Sequence, residues 1–185
     1  MENFIEKLKK LFSVTNVVHT KEKQVFLTVE AEKLPLLLTH LRDYENFTHF
    51  AFLTAVDWKE EEKFQLTYML HNYNSNSDIG IRVFLDRQAP EMVSIHHLWK
   101  QVSTYQRELY EMFGIQFPGS PEVEEPMILE GWQEIPPMRR EFDTKKYSEE
   151  TYFPRSGRTT HDPKKHMKKK LYPEWNPILN ENEDV

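Results

Sequence analysis

Three consecutive runs built for strands constrain this chain more than any other feature. Phe64, Leu66, Tyr68 and Leu70 alternate with more polar positions, and Ile79, Ile81, Val83 and Leu85 repeat the pattern. A period of two marks a strand with one face buried. Between them, Asn72 to Asp78 is rich in Asn and Ser and reads as a turn. Ahead of both, Phe50-Ala51-Phe52-Leu53-Thr54-Ala55-Val56 is apolar on both faces. That pattern predicts a central strand covered on both sides. Strands joined in sequence by short links form an antiparallel meander, because parallel neighbours need a long crossover.

The flanking segments supply helices. Phe4, Ile5, Leu8, Leu11 and Phe12 recur at helical spacing. Asn16 to Thr20 and the alternating Val25, Leu27 and Val29 predict two further strands around the polar turn Lys21-Glu22-Lys23. A helix over 34–42 tolerates Pro35 in its first turn. Leu98, Val102, Tyr105, Leu109 and Met112 step by four, three, four and three, and Gly114 is placed to end that helix in a left-handed conformation. The predicted class is α+β: a mainly antiparallel sheet with helices on one face, followed by a long extended C-terminal tail rich in proline and aromatics.

The tail is expected from Phe117 onward, which divides the chain into a domain over 1–116 and a partner-binding segment over 117–185. Nine of the 11 prolines lie between Pro118 and Pro177 and break long helices and central strands. The same stretch keeps Trp132, Phe142, Tyr147, Tyr152, Phe153, Tyr172 and Trp175. Disordered segments are poor in aromatics, so this one is expected to lie on another protein and to become buried only in a complex, the alternative being a loose tail partly packed on its own domain.

Bulk properties exclude several functions. With 0 cysteines, disulfides, thiolate metal sites and iron–sulfur ligation are ruled out for this chain. A net charge of −6 argues against general nucleic-acid binding. No apolar run approaches the roughly 18–20 residues that span a bilayer. Met1-Glu2-Asn3-Phe4 lacks the basic and apolar regions of a signal peptide. The expectation is a soluble chain on the cytoplasmic side, held at any membrane by partners.

The candidate residues for chemistry fall short of a site. His96 and His97 are adjacent, so on a helix they point about 100° apart and cannot chelate together as an i, i+4 pair does. Asp57, Glu60, Glu61 and Glu62 lack the order of a calcium loop and are expected in a solvated turn. Glycine-rich phosphate loops and a nucleophile elbow are absent from the sequence. Lys164-Lys165-His166-Met167-Lys168-Lys169-Lys170 is a basic run. It leaves open a free-standing adaptor that binds RNA or lipid. Arg107 and Glu111 stand at i, i+4 and Glu108 and Glu111 at i, i+3, beside the apolar stripe of the same helix. Charges along a packed edge form a docking surface more readily than an acid–base pair.

Gln106-Arg107-Glu108-Leu109-Tyr110-Glu111-Met112-Phe113-Gly114-Ile115 resembles the Glu-Arg-Glu motif, ending in hydrophobic-Gly-hydrophobic, of the respiratory complex I 30 kDa subunit family. Gly119-Ser120-Pro121 resembles the Gly-His-Pro that follows it there, and Pro136-Pro137-Met138-Arg139-Arg140-Glu141-Phe142 the later Pro-Leu-Arg-Lys-Asp-Phe element. Gln106 replaces the first glutamate and Ser120 the histidine. Met127-Ile128-Leu129-Glu130-Gly131-Trp132 is closer to the homologous subunit of membrane-bound nickel–iron hydrogenase-type and ferredoxin-linked complexes. The resemblance implies a non-catalytic subunit of a peripheral arm, without a cofactor of its own. Its partners would be a large hydrogenase-like (49 kDa-type) subunit, which forms the quinone site, and neighbours that carry the iron–sulfur clusters. The expected interface residues are Arg107, Glu108, Glu111, Trp132, Pro137, Arg139, Arg140, Phe142 and Trp175, with no catalytic or metal-binding residue.

Overall fold

The computed structural model describes residues 2–152. A helix α1 (Glu2–Phe12) leads into a hairpin of β1 (Asn16–Lys21) and β2 (Gln24–Thr28). A single turn of 3-10 helix runs into α2 (Leu34–Tyr44), which carries proline in its first turn. The long strands β3 (His49–Trp58), β4 (Lys63–Asn72) and β5 (Ser77–Asp86) follow. After an irregular crossover comes α3 (Val102–Phe113), and Gly114 ends it at φ 73° as its N–H bonds the Tyr110 carbonyl at 2.8 Å.

The five strands form one sheet in the order β1-β2-β5-β4-β3. β3, β4 and β5 make the expected meander, and β1 pairs with β2 antiparallel. The sheet is nevertheless mixed, because β2 runs parallel to β5 with Gln24 opposite Asp78. The crossover from β2 through α2, β3 and β4 makes that possible. One side of the sheet is covered. Val25, Leu27, Leu53, Phe64, Leu66, Leu70, Ile79 and Ile81 pack against Ile5 and Leu8 of α1, Leu37 and Leu41 of α2, and Leu109 of α3 in one core. Leu11, grouped by spacing with the α1 stripe, is instead exposed.

The strand β3 is not central. It lies at the sheet edge, and its burial alternates. Leu53, Ala55 and Asp57 point inward, while Phe52, Val56 and Trp58 point to the other face of the sheet, where they are each about 40% exposed. The apolar side chains on that outer face are what made the run look doubly covered. The edge itself is blunted near a bulge between Phe50 and Phe52. Trp99 Nε1, Gln101 Nε2 and the Tyr105 hydroxyl donate to the carbonyls of Thr48, Phe50 and Ala51 at 2.8, 2.7 and 3.1 Å. On the outer face, the Arg82 guanidinium stacks 4.3 Å over the Phe26 ring. A side chain at Gly80 would overlap that ring, so the close approach requires glycine.

The compact unit runs through Phe142, so the change of composition at Phe117 falls inside it rather than at its end. Phe117 is 1% exposed, and Val123 packs on the same core. Prolines prevent this stretch from entering the sheet, yet they leave its apolar side chains able to pack. The second unit begins at Asp143 and includes α4 (Thr144–Tyr152), a helix where extended chain was expected. Asp143 caps it by accepting the Lys146 N–H at 3.0 Å.

Candidate functional site

The motif residues converge on the C-terminal half of α3 and on the chain that returns across it. Glu111 turns its carboxylate toward the returning backbone. It accepts the N–H groups of Met127 (2.9 Å), Ile128 (3.1 Å) and Leu129 (2.8 Å). Burial opposes its ionisation, but those three donors and nearby Arg107 outweigh it and hold the carboxyl below its ordinary value. Arg107 donates to the Pro126 carbonyl at 2.7 Å. The expected i, i+4 pair therefore acts as two fasteners on one loop. Glu108 is exposed. Gln106 faces the interior: it is fully buried and accepts the Ser94 hydroxyl at 2.7 Å. An amide at this place avoids burying a carboxylate.

The later motif closes over the end of α3. Helices leave their last carbonyls unpaired. Here the Met138 N–H bonds the Met112 carbonyl at 3.0 Å, and Arg139 Nε donates to the Phe113 carbonyl at 2.7 Å. Arg139 also lies 5.4 Å over the buried Phe64 ring. At Gly114 any Cβ would stand 3.1 Å from the Arg139 guanidinium and 3.3 Å from Pro136. The positive φ favours glycine there, and the close approach leaves a side chain little room. Pro137 is half-buried, and the Trp132 and Phe142 rings pack at a tilt of 57° with centroids 5.4 Å apart.

An ion cluster with a buried Asp57–Arg87 pair at its centre locks the same segment to the sheet. Arg87, just past β5, grips Asp57 of β3 in a bidentate pair at 2.7 and 2.9 Å, and its Nη2 also donates to Glu141. The Arg140 N–H donates to the second Asp57 oxygen at 3.0 Å, and its guanidinium pairs with Glu60. The Arg87 hydrogen bonds hold Asp57 below the usual carboxylate range against the opposing effect of burial, and likewise Glu141. Asp57 is 7% exposed, so it does not belong to a solvated turn with Glu60, Glu61 and Glu62. Inward parity along β3 places it, and Arg87 continues the parity of Ile81, Val83 and Leu85.

Among the described residues no group of three or more His, Asp or Glu side chains is arranged to hold a metal ion. His96 bonds Ser94 in the turns before α3, and His97 is exposed. A recess of 290 Å³ between α3 and the returning loop is lined by Tyr110, Leu129, Trp132 and Pro136 together with Glu124 and Glu125. Trp175 and the basic run Lys164–Lys170 lie outside the described residues.

Residues 27–148 match the family described as the respiratory-chain NADH dehydrogenase 30 kDa subunit. The chain belongs to this family. The corresponding subunit of the NADH-quinone oxidoreductase of Moorella thermoacetica is 36% identical over 66% of this chain and 82% of its own length. That of Erythrobacter litoralis is 26% identical over 78% of this chain and 58% of its own. In fold, the chain resembles a chain of the membrane-bound sulfane sulfur reductase, an archaeal respiratory membrane complex. The TM-score is 0.77 at 23% identity, over 88% of this chain and 96% of that one. It also resembles a trypsin-resistant fragment (1–134) of Nqo5, with a TM-score of 0.57 at 21% identity over 65% of this chain and 96% of the fragment. As a member of the 30 kDa subunit family, the chain is a subunit of a multisubunit oxidoreductase complex. Among the described residues no helix is long and apolar enough to cross a membrane. The family motif residues Arg107, Glu111 and Arg139 are engaged within the chain itself.

Proposed function

We propose that this chain is a non-catalytic structural subunit in the peripheral arm of a complex I-type oxidoreductase. It docks on the large subunit that forms the quinone site and supports electron transfer coupled to ion translocation. Neighbouring subunits carry the iron–sulfur clusters, and the membrane is reached through partners, from its cytoplasmic side. The observation that carries this reading is the use of the family motifs. Arg107, Glu111, Arg139 and the Asp57–Arg87–Glu141 cluster all fix one segment onto the sheet and α3, so the motif residues serve to hold a shape. Exposed Glu108, Arg140 and the neighbourhood of Trp132 are the surfaces it would offer to partners. A second reading keeps the scaffold role and changes the complex to a hydrogenase-type or ferredoxin-linked one. It rests on the sequence of Met127 to Trp132.

The test is purification of the tagged full-length chain from its native cells, with identification and metal analysis of what accompanies it. The expected result is a stoichiometric assembly with iron in the accompanying subunits and a large subunit holding a quinone site. Nickel in that large subunit would move the assignment to the second reading. Recovery of a lone chain that binds RNA or anionic vesicles would sink both and favour the adaptor.

A further inference from the structure

The loop over 126–138 displays apolar side chains that the described residues leave uncovered. Ile128 is 70% exposed, Met138 58%, Ile135 45% and Met127 40%. A single exposed aliphatic side chain is ordinary, but several on one short loop are not. Their presentation is also enforced. The backbone directly beneath Ile128 is fixed by the three N–H bonds to Glu111 and by Arg107 on the Pro126 carbonyl. The same loop turns Leu129 and Trp132 inward, so it has the means to bury an apolar side chain and points Ile128 outward instead. Prefixing a loop in this way lowers the ordering cost of binding.

Charge selects what it meets. From Ile115 to Met138 the chain holds Glu122, Glu124, Glu125, Glu130 and Glu134 and has no lysine, arginine or histidine. All five glutamates are exposed. Anionic lipid headgroups and nucleic-acid phosphates would be repelled by this surface. A second copy would oppose like charge to like charge. Resting on the subunit reading above, we infer that this loop is a protein-docking surface. Its partner is a neighbouring subunit that offers an apolar pocket ringed by lysine and arginine side chains, with Ile128 and Met127 as the inserted anchors. Hydrophobic anchors inside a complementary charged rim give affinity and orientation together.

The experiment uses the whole complex, captured through a tag on a different subunit, with the full-length chain carrying a photoreactive residue at position 128. The expected cross-link joins position 128 to a lysine- and arginine-rich stretch of another subunit. Ile128→Asp should lower the complex-bound fraction about tenfold or more. Its unfolding midpoint as an isolated chain should match the wild type. Glu124→Lys combined with Glu125→Lys should also reduce assembly, most strongly at low ionic strength. Normal assembly of Ile128→Asp overturns the docking role while leaving the subunit reading intact. So does a cross-link confined to Lys164–Lys170 of the same chain, or one to an acidic surface. Absence of the wild-type chain from the captured complex overturns both.

Discussion

Residues 126–132 and 136–142 each begin with proline and lie a few positions apart, yet they are held in different ways. In the second, the segment's own side chains join the hold: Arg139 reaches the Phe113 carbonyl and Glu141 reaches Arg87, beside the backbone N–H groups of Met138 and Arg140, which meet the Met112 carbonyl and Asp57. In the first, Glu111 and Arg107 take hold of backbone groups only. Side-chain anchoring commits sequence to the fold. Backbone anchoring fixes position while leaving the identity of the displayed side chains open to another use. The difference shows how one irregular segment serves as both a clasp and a presenting surface.

The sharpest way to break the comparison is Asp57→Ala. It strips the buried Arg87 of its bidentate partner and leaves the Arg140 N–H unpaired, which costs about 3–5 kcal/mol of stability. Thermal unfolding should show that loss. Hydrogen exchange should show 136–142 opening well before the amides of Met127 to Leu129. Simultaneous opening of both stretches would mean they are one unit and not two.

Acid probes the same clasp more gently. Asp57 and Glu141 are both held below their ordinary values by Arg87. Their contribution is therefore complete above the ordinary carboxylate range and is lost as pH falls through the lower folded-state values. Denaturant midpoints should drop below about pH 4. Asp57→Asn, being less stable at neutral pH, should show a visibly shallower drop. An equally steep acid limb in that variant would remove Asp57 from the account.

The smallest effect belongs to the presenting loop. Glu111→Gln keeps an acceptor but removes the charge, at a cost of about 1–2 kcal/mol confined to the loop. Amide protection at Met127, Ile128 and Leu129 should fall while that of Met138 and Arg139 holds. Loss of protection at Met138 as well would tie the loop to the clasp.

The meander was readable in the sequence because Phe64 to Leu70 and Ile79 to Leu85 each face a single core, so burial writes a period of two. The run from Phe50 to Val56 misled because its outward positions are apolar too, and the same blurring hid the inward parity that carries Asp57. Arg87 and Glu141, its partners, are distant in sequence, and no local pattern links them. The parallel pairing of β2 with β5 is hidden for the same reason. Arg107, Glu111 and Arg139 could be picked out as important from their motifs. That they turn inward upon the chain follows only from where the returning segment lies.

The parallel seam also dictates an order of events during synthesis. The β1–β2 hairpin leaves the ribosome early, but β2 has nothing to join until Ser77–Asp86 has been made. In the interval the apolar side of α1 and the hairpin have no sheet to rest on. The N-terminal quarter of the chain thus waits longest between synthesis and docking, and it is the part a chaperone would have to shield longest.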